Sequence, residues 1–165
     1  MSATGYLDRV AASTAVMRSG RHFAQLTAVV SGDMMMFGVI RPGFDVEGGA
    51  SADDVDGHCF YFTGGGERCP GGHGWEGMQA AREQGDRIGM LLDLDQGSMS
   101  IWKNGERLRV MQAEGLRGPL CWAAELYRQG TSARIESTPA PASPTEEELA
   151  AAKAWQEAHP PSDDE

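Results

Sequence analysis

Cysteine is scarce in this sequence, and the segments that direct a chain to the secretory pathway or into a membrane are missing. The three cysteines are an odd number, which cannot close a disulfide framework. The N-terminal stretch MSATGYLDRVAAS lacks the apolar centre of a signal peptide. No run approaches the roughly 18 apolar residues that a membrane span needs. These absences predict a soluble, cytoplasmic protein with reduced cysteines and no membrane partner.

Positive charge is also scarce, and the negative excess is unevenly distributed. The net charge is −10, and residues 143–165, with seven acids and one lysine, carry −6 of it. Residues 1–142, with 17 acids and 13 basic residues, carry the other −4. The acidity therefore belongs largely to the C-terminal tail. Since a basic footprint is missing, we expect no nucleic-acid partner.

The most strongly patterned stretch is residues 85–111, which predicts three consecutive strands joined by two tight turns. Asn104-Gly105 is a strong signal for a two-residue hairpin, because both residues tolerate the positive φ of a type I′ turn. Gln96-Gly97 supplies the other turn, with glycine in the left-handed position. The stretch is therefore predicted to fold as an antiparallel meander.

The two turns together set a register in which one face of the meander is entirely apolar. Leu92 is then opposite Ile101, and Trp102 is opposite Arg107. A slip of one residue in either hairpin would mix apolar and polar side chains on both faces. A sheet with one apolar face needs a second layer to cover it. The apolar face comprises Met90, Leu92, Leu94, Met99, Ile101, Leu108 and Val110.

Alternation of apolar residues predicts further strands on both sides of the meander. The first two are predicted to pair around the turn Gly32-Asp33, and the last two are predicted to pair with each other. The 22 glycines suit short strands joined by tight turns. Residues 1–137 are therefore predicted to form an all-β domain, an antiparallel two-sheet sandwich. The predicted strands are residues 21–31, 34–40, 58–63, 120–127 and 131–136.

The composition changes after the predicted sandwich. Residues 138–143 form an extended linker rich in proline, residues 144–158 a predicted helix, and residues 159–165 an acidic tail. Ser143 would cap this helix, and Glu146 would complete a capping box. The apolar residues of the helix are mostly alanine, so weak docking on the sandwich and a solvated helix both stay open.

The stretch GDRIGMLLDLDQGSMSIWKNGERL at residues 85–108 resembles the signature of the SPRY domain family. That pattern is roughly G-D-x-[IV]-G-x-x-[LV]-D-x-[DE]-x-G-x-[LIM]-[ST]-[FI]-x-x-N-G, and every specified position is met. Other pieces resemble the family in the same order, namely SGRHF at 19–23, FGVIRPGFD at 37–45 and GPLCWAAELYRQGTSARIE at 118–136. One departure is Ala24-Gln25, where the family usually has Trp-Glu. The resemblance covers residues 13–137.

The resemblance implies a bent sandwich of the concanavalin-like type and a protein that is not an enzyme. It implies a module that binds a partner protein or peptide through loops at one rim, often as the substrate-recognition part of a larger assembly. No cofactor, no small-molecule ligand and no catalytic residue is implied.

Loop-borne aromatic and arginine residues are the types that form binding hot spots. Tyr127-Arg128 occupies a turn that contributes to ligand contact in some SPRY proteins, and the other candidates are placed in loops by the implied fold alone. For each single residue, ordinary surface or core packing is the competing account. The partner-binding candidates are Arg18, Arg41, Phe44, Tyr61, Trp75, Tyr127 and Arg128.

Groups that suggest metal binding lack the spacing that a metal site requires. Asp93, Asp95 and Gly97 resemble the start of a calcium loop, but glycine stands where a third oxygen ligand is needed. The acidic cluster at 53–56 could hold a cation, but a solvated loop is the favoured interpretation. No metal site is therefore predicted. Zinc-binding residue types without zinc-site spacing occur at His58, Cys59, Cys69 and His73.

Two alternatives stay open at this point. A concanavalin-like sandwich could be a carbohydrate-binding module or a glycosidase, with Glu76 and Glu125 about 5–9.5 Å apart across one cleft. Trp102 could anchor a ligand or form a cation–π contact with Arg107, or it could be an ordinary packed residue.

Overall fold

A computed structural model describes the protein over residues 9–12, 15–30, 35–42, 58–69, 74–81, 83, 85–126 and 132–159. These parts of the chain contain ten strands and one helix. The strands are β1 (Arg9–Ala12), β2 (Arg21–Val30), β3 (Met35–Ile40), β4 (Cys59–Phe62), β5 (Arg68–Cys69), β6 (Arg87–Asp93), β7 (Ser98–Lys103), β8 (Glu106–Gln112), β9 (Cys121–Leu126) and β10 (Ser132–Thr138). The helix α1 is Glu146–Ala158.

The strands form two five-stranded antiparallel sheets. The sheet with the order β10-β2-β6-β7-β8 is called the meander sheet, and the sheet with the order β1-β9-β3-β4-β5 is called the crossover sheet. Inward-facing side chains alternate in β7, where Met99 and Ile101 belong to the core, as the two-residue period of a strand requires. Leu26 and Ile101 of one sheet and Phe37 and Ala124 of the other belong to the same buried core. The predicted all-β, two-sheet sandwich is confirmed.

The turn between β7 and β8 is the predicted Asn104-Gly105 hairpin. Both residues have positive φ, +52° and +83°, which the two-residue turn requires. Asn104 Oδ1 also accepts a hydrogen bond of 2.9 Å from the backbone N–H of Arg87 in the next strand. Trp102 is opposite Arg107, so this part of the predicted register is confirmed.

The turn between β6 and β7 is wider than predicted. It contains residues 94–97, because Asp93 Oδ1 accepts hydrogen bonds of 3.0 Å from the backbone N–H groups of both Asp95 and Gln96. Leu92 is consequently opposite Met99, and the predicted pairing of Leu92 with Ile101 is wrong. The shift is by two residues, so each side chain stays on its predicted face.

Irregular pairing in β8 alters one face of the meander. The register shifts on both sides of Ser100, which is opposite Val110, whereas Met99 is opposite Gln112. The side chain of Met111 therefore enters the main core and is fully buried. The prediction that Val110 faces that core is wrong, because the irregularity turns it to the outer side of the sheet.

The two predicted hairpins outside the meander are wrong. Strands β2 and β3 lie in different sheets, and so do β9 and β10. Strand β3 pairs with β9 and β4, and β10 pairs with β2. Alternation shows only that each strand has one apolar face. Two such strands can lie side by side in one sheet or face each other across a core, and both arrangements bury the same residues. The turn Gly32-Asp33 is outside the described residues.

Residues 139–145, called the strap, cross the outer face of the meander sheet. Arg21 Nη1 donates a hydrogen bond of 3.1 Å to the carbonyl of Pro141, and Ser143 Oγ donates one of 2.5 Å to Asp93 Oδ2. Arg21 and Asp93 are paired and both point outward, since Leu92, next to Asp93, points into the core. Pro144 is buried. The strap thus fixes the path of the chain between β10 and the helix.

The helix α1 docks on β8. Thr145, rather than the predicted Ser143, is its N-cap and forms a capping box with Glu148. The Ser143 hydroxyl instead donates its hydrogen bond to Asp93. The docked face consists of Ala152 with Val110 and Ala113, and ion pairs flank it, Arg107–Glu148 at 2.7 Å and Lys153–Glu114 at 2.9 Å. No helix among the described residues is long and apolar enough to cross a membrane.

Candidate functional site

One end of the sandwich gathers two of the predicted binding residues. Ile40, the last residue of β3, pairs with Cys121, and the adjoining Leu120 forms a bridge with Met17. Arg41 follows Ile40 and Arg18 follows Met17, so both arginines leave the crossover sheet at this end. Both side chains are exposed.

A third arginine lies at this end, although the sequence gives no signal for it. Arg117 is exposed and precedes Gly118, whose backbone packs against that of Arg18 so closely that a Cβ there would lie 2.9 Å from the Arg18 carbonyl oxygen. In the described part of the chain, neither Arg18, Arg41 nor Arg117 forms an ion pair. The surface that carries these three arginines is called the arginine end.

The remaining loop candidates, Phe44, Tyr127 and Arg128, are outside the described residues. Phe44 belongs to the segment that follows Arg41 and Pro42 at the arginine end. Tyr127-Arg128 follows Leu126, which pairs with Met35 and Arg9 at the opposite end of the crossover sheet. The six residues of β9 separate the two ends by roughly 17–20 Å. The grouping of these three candidates with the arginines at one rim stays a prediction.

Tyr61 and Trp75 are core residues. Tyr61 is 0% and Trp75 is 2% exposed. The Tyr61 hydroxyl donates to the carbonyl of Gln79, and Trp75 Nε1 donates to that of Gly66 at 2.6 Å. Burial raises the pKa of Tyr61 well above its usual value, and the charges of nearby acids add to the increase. Neither side chain is accessible to a partner in this conformation.

A shallow cleft of about 190 Å³ lies beside the arginine end, where the edges of the two sheets meet. It is smaller than the roughly 300–1,000 Å³ typical of small-molecule pockets, and fits one or two side chains. The Trp122 ring that borders it is stacked on Phe37 in the core, whereas the Arg21 side chain lies on the outer face of the meander sheet. The full lining is Ala15, Met17, Arg21, His22, Phe23, Trp122, Ser137, Thr138 and Ala140.

Trp102 is half-buried on the outer face of the meander sheet. The Arg107 guanidinium lies 5.5 Å from its ring, as the predicted pairing implies, and Phe23 lies 5.2 Å away on the other side. Gly89 leaves the space for the Phe23 ring, since a Cβ there would lie 2.5 Å from it. Trp102 is therefore packed between an arginine and a second aromatic ring.

The acidic residues that suggested chemistry have structural partners. Asp93 caps the 94–97 turn, and Asp95 Oδ1 accepts a hydrogen bond of 3.2 Å from the backbone N–H of Gly20. Glu125 is fully buried in β9, whereas Glu76 is at the surface, 3.9 Å from Arg109. In the described ranges, no three metal-ligating side chains form a group that could hold an ion.

The residues that suggested zinc are likewise dispersed or outside the described part of the chain. The ring of His58 packs edge-on against Phe60, with centroids 6.2 Å apart. Cys59 Sγ lies 3.6 Å from Gln112 Oε1, and Arg68 donates to the same oxygen at 3.0 Å. His73 and the 53–56 cluster are outside the described residues.

Two solved structures resemble the chain over most of its length. The SPRY domain of human HERC1 matches with a TM-score of 0.64 and 18% identity, covering 81% of this chain and 83% of that one. A second human SPRY domain matches with a TM-score of 0.61 and 18% identity, covering 82% and 89%. No protein-family model and no curated protein matches the sequence. The chain therefore has the SPRY fold, and the predicted resemblance is confirmed at that level.

Proposed function

We propose that the chain is a non-catalytic protein-interaction module that binds a partner protein or peptide through the arginine end. The observation that carries the proposal is the presence there of three exposed guanidinium groups with no ion-pair partner among the described residues. Arginine binds carboxylates in a bidentate manner and is enriched in binding hot spots. The partner segment is therefore expected to present carboxylates.

The adjoining cleft supplies the second element that a protein interface needs. Interfaces combine a charged periphery with an apolar anchor that inserts into a pocket. The cleft could receive one apolar side chain of the bound segment, and the exposed Arg21 beside it adds positive charge. The resemblance to SPRY domains supports a further role, as the substrate-recognition part of a larger assembly.

No observation favours the glycosidase or carbohydrate-binding alternative. Its two carboxylates would have to face one cleft, but Glu125 is 0% exposed within β9. Glu76 lines a different cleft of about 20 Å³ beneath α1, together with Arg109 and Glu148. A space of that size does not hold a sugar ring.

Photo-cross-linking tests the proposed surface while the partner is still unidentified. A photoreactive amino acid replaces Ser19 at the arginine end, or the exposed Glu136 in β10 as a control, and the full chain is incubated with lysate of its own cells. We expect the same protein to be captured reproducibly from position 19 and not from position 136. Equal capture from both positions would contradict a surface at this end.

Affinity for the captured partner then tests the arginines. The double variant Arg18→Ala, Arg41→Ala should weaken binding by about tenfold or more, because two charge-assisted contacts with carboxylates of the partner are lost. The control Arg134→Ala, an exposed arginine paired with Glu136, should change it by less than about twofold. If a Tyr127→Ala, Arg128→Ala variant abolishes binding while the first double variant does not, the partner binds the opposite end.

A further inference from the structure

Ser143 holds the strap to the meander sheet through a buried acid. Its hydroxyl donates a hydrogen bond of 2.5 Å to Asp93 Oδ2, and Asp93 is only 3% exposed. The other oxygen of Asp93 is occupied by the backbone N–H groups of the 94–97 turn. The negative charge of this carboxylate is thus surrounded by donors, and Ser143 is the one donor that the strap contributes.

The strap is partly accessible, although its Pro144 is buried. It has no regular secondary structure, its residues Ala140, Ala142 and Thr145 are exposed, and Ser143 is half-buried. Apart from the Ser143 contact, its polar contact with the sandwich is the exposed bond between Arg21 and the Pro141 carbonyl. Segments with few buried contacts and exposed hydrogen bonds open at low free-energy cost. Ser143 is therefore exposed transiently in an extended segment with proline on its C-terminal side.

We propose that Ser143 is a phosphorylation site for a proline-directed protein kinase, and that its modification releases the strap and α1 from the meander sheet. In the reaction the Ser143 Oγ attacks the γ-phosphorus of ATP, the bond to the β-phosphate oxygen breaks, and ADP leaves. The hydroxyl proton passes to the base of the kinase. No other reactant is required.

Phosphorylation turns the attraction between Ser143 and Asp93 into a repulsion. The hydroxyl donor is replaced by a group with a charge of about −1.5 to −2 that can only accept hydrogen bonds at neutral pH. A phosphate at the position of the Oγ would face the buried carboxylate at close range, and both charges would be partly removed from water. The open state, in which the phosphate is hydrated, is therefore favoured.

The start of α1 does not offset this repulsion. A phosphate at a helix N-terminus is usually stabilising, but the capping box already satisfies two donors of this terminus, the N–H groups of Thr145 and Glu148. Three glutamates at 146–148 add negative charge to the first turn. Arg21 Nη1 is bonded to the Pro141 carbonyl, so drawing this group to a phosphate would break the bond by which it holds the strap. Release of the strap would pull α1 away from Val110 and Ala113.

The test uses the full chain, a proline-directed serine/threonine kinase and ATP. Mass spectrometry of fragments locates the phosphate, and amide hydrogen exchange reports the release. We expect one phosphate on Ser143, and exchange of the α1 amides that is about tenfold faster or more, with β6 and β7 unchanged. Ser143→Ala should lose the phosphate and show a smaller increase in exchange, because it removes the hydrogen bond without adding charge.

A second variant tests whether the strap is released by repulsion between the phosphate and Asp93 or by a general weakening of its contacts. Asp93→Asn keeps the shape of the side chain and the acceptor for the 94–97 turn, but removes the charge that faces the phosphate. Phosphorylation of this variant should accelerate exchange of α1 by less than it does in the parent chain. The proposal is overturned if the phosphate is placed on Thr145 instead, if Ser143 of the folded chain is not modified, or if phosphorylated α1 exchanges no faster.

Discussion

The two sheets have the same number of strands but are assembled in different ways. In the meander sheet β6, β7 and β8 are consecutive in the chain and joined by tight turns. In the crossover sheet β9 lies between β1 and β3, which precede it by more than half the chain. The first arrangement depends on local turn chemistry, whereas the second depends on burial of apolar faces that are distant in sequence. Substitutions in the turns and substitutions in the core should therefore have different effects on the two sheets.

The largest expected effect is in the crossover sheet, at Gly38. A Cβ on Gly38 would overlap the backbone carbonyl of Cys59 in the neighbouring strand, which cannot move without breaking the sheet. Gly38→Ala should lower the free energy of unfolding by more than about 3 kcal/mol. The matched change in the meander sheet, Gly89→Ala, meets the half-exposed ring of Phe23 and should cost about 1 kcal/mol. Urea unfolding measures both, and equal losses would contradict the packing difference.

The irregularity in β8 predicts the next largest effect. Met111 is 0% exposed in the main core, so Met111→Ala should cost about 2–4 kcal/mol. Val110→Ala leaves only a small gap beneath α1 and should cost about 1–2 kcal/mol. In a regular hairpin Met111 would face outward, and its truncation would lower the free energy of unfolding by less than that of Val110. Such an order of losses would contradict the observed register.

A third pair of variants compares the two turns of the meander. Asp93→Ala removes the acceptor of two turn N–H groups and of Ser143 at a buried position, and should cost about 2–3 kcal/mol. Asn104→Ala loses exposed hydrogen bonds and must keep a φ of +52°, and should cost about 1 kcal/mol. Thermal unfolding of both variants measures the difference. A greater loss of stability in Asn104→Ala would mean that the exposed turn stabilises the meander more than the turn capped by Asp93 does.

The smallest effect at neutral pH is expected at Tyr61 in the crossover sheet. Tyr61→Phe removes one hydrogen bond and should cost about 1 kcal/mol at pH 7. Above a pH of about 10 the unfolded chain loses the phenol proton. The folded chain keeps it, because burial raises the pKa of Tyr61. The unfolded state then binds fewer protons, so stability falls as pH rises, by up to about 1.4 kcal/mol per pH unit.

This alkaline loss should disappear in Tyr61→Phe, so the two stability curves converge above a pH of about 10. The other tyrosines are present in both chains and cancel in the comparison. Urea unfolding at a series of pH values provides the curves. Parallel curves up to the highest pH would mean that the Tyr61 phenol is not protected by the fold.

The sequence is informative where a local interaction decides the structure. Asn104-Gly105 predicts its turn because the required φ is a property of those two residues. The turn at 94–97 is two residues wider than its sequence predicts, because its width depends on a side-chain hydrogen bond from Asp93 that competes with strand pairing. Since the difference is an even number, the apolar face is still predicted correctly.

The sequence is uninformative where distant segments meet. Alternation marks the inward residues of β2 and β3 but does not say whether these strands are neighbours or face each other. For the same reason the sequence does not show that Tyr61, which falls in a predicted strand, and Trp75 are core residues, and Arg117 has no signal. Its proximity to Arg18 depends on the bridge between Met17 and Leu120.

The placement of β2 and β3 in opposite sheets is tested most directly by nuclear Overhauser effects in the isotopically labelled full chain. The structure predicts backbone effects between Phe37 and both of its partners, Ala124 and Tyr61, and none between Phe37 and Ala28. Strong backbone effects between Phe37 and Ala28 would mean that β2 and β3 form a hairpin. That result would contradict the two-sheet arrangement on which the arginine end and the strap both depend.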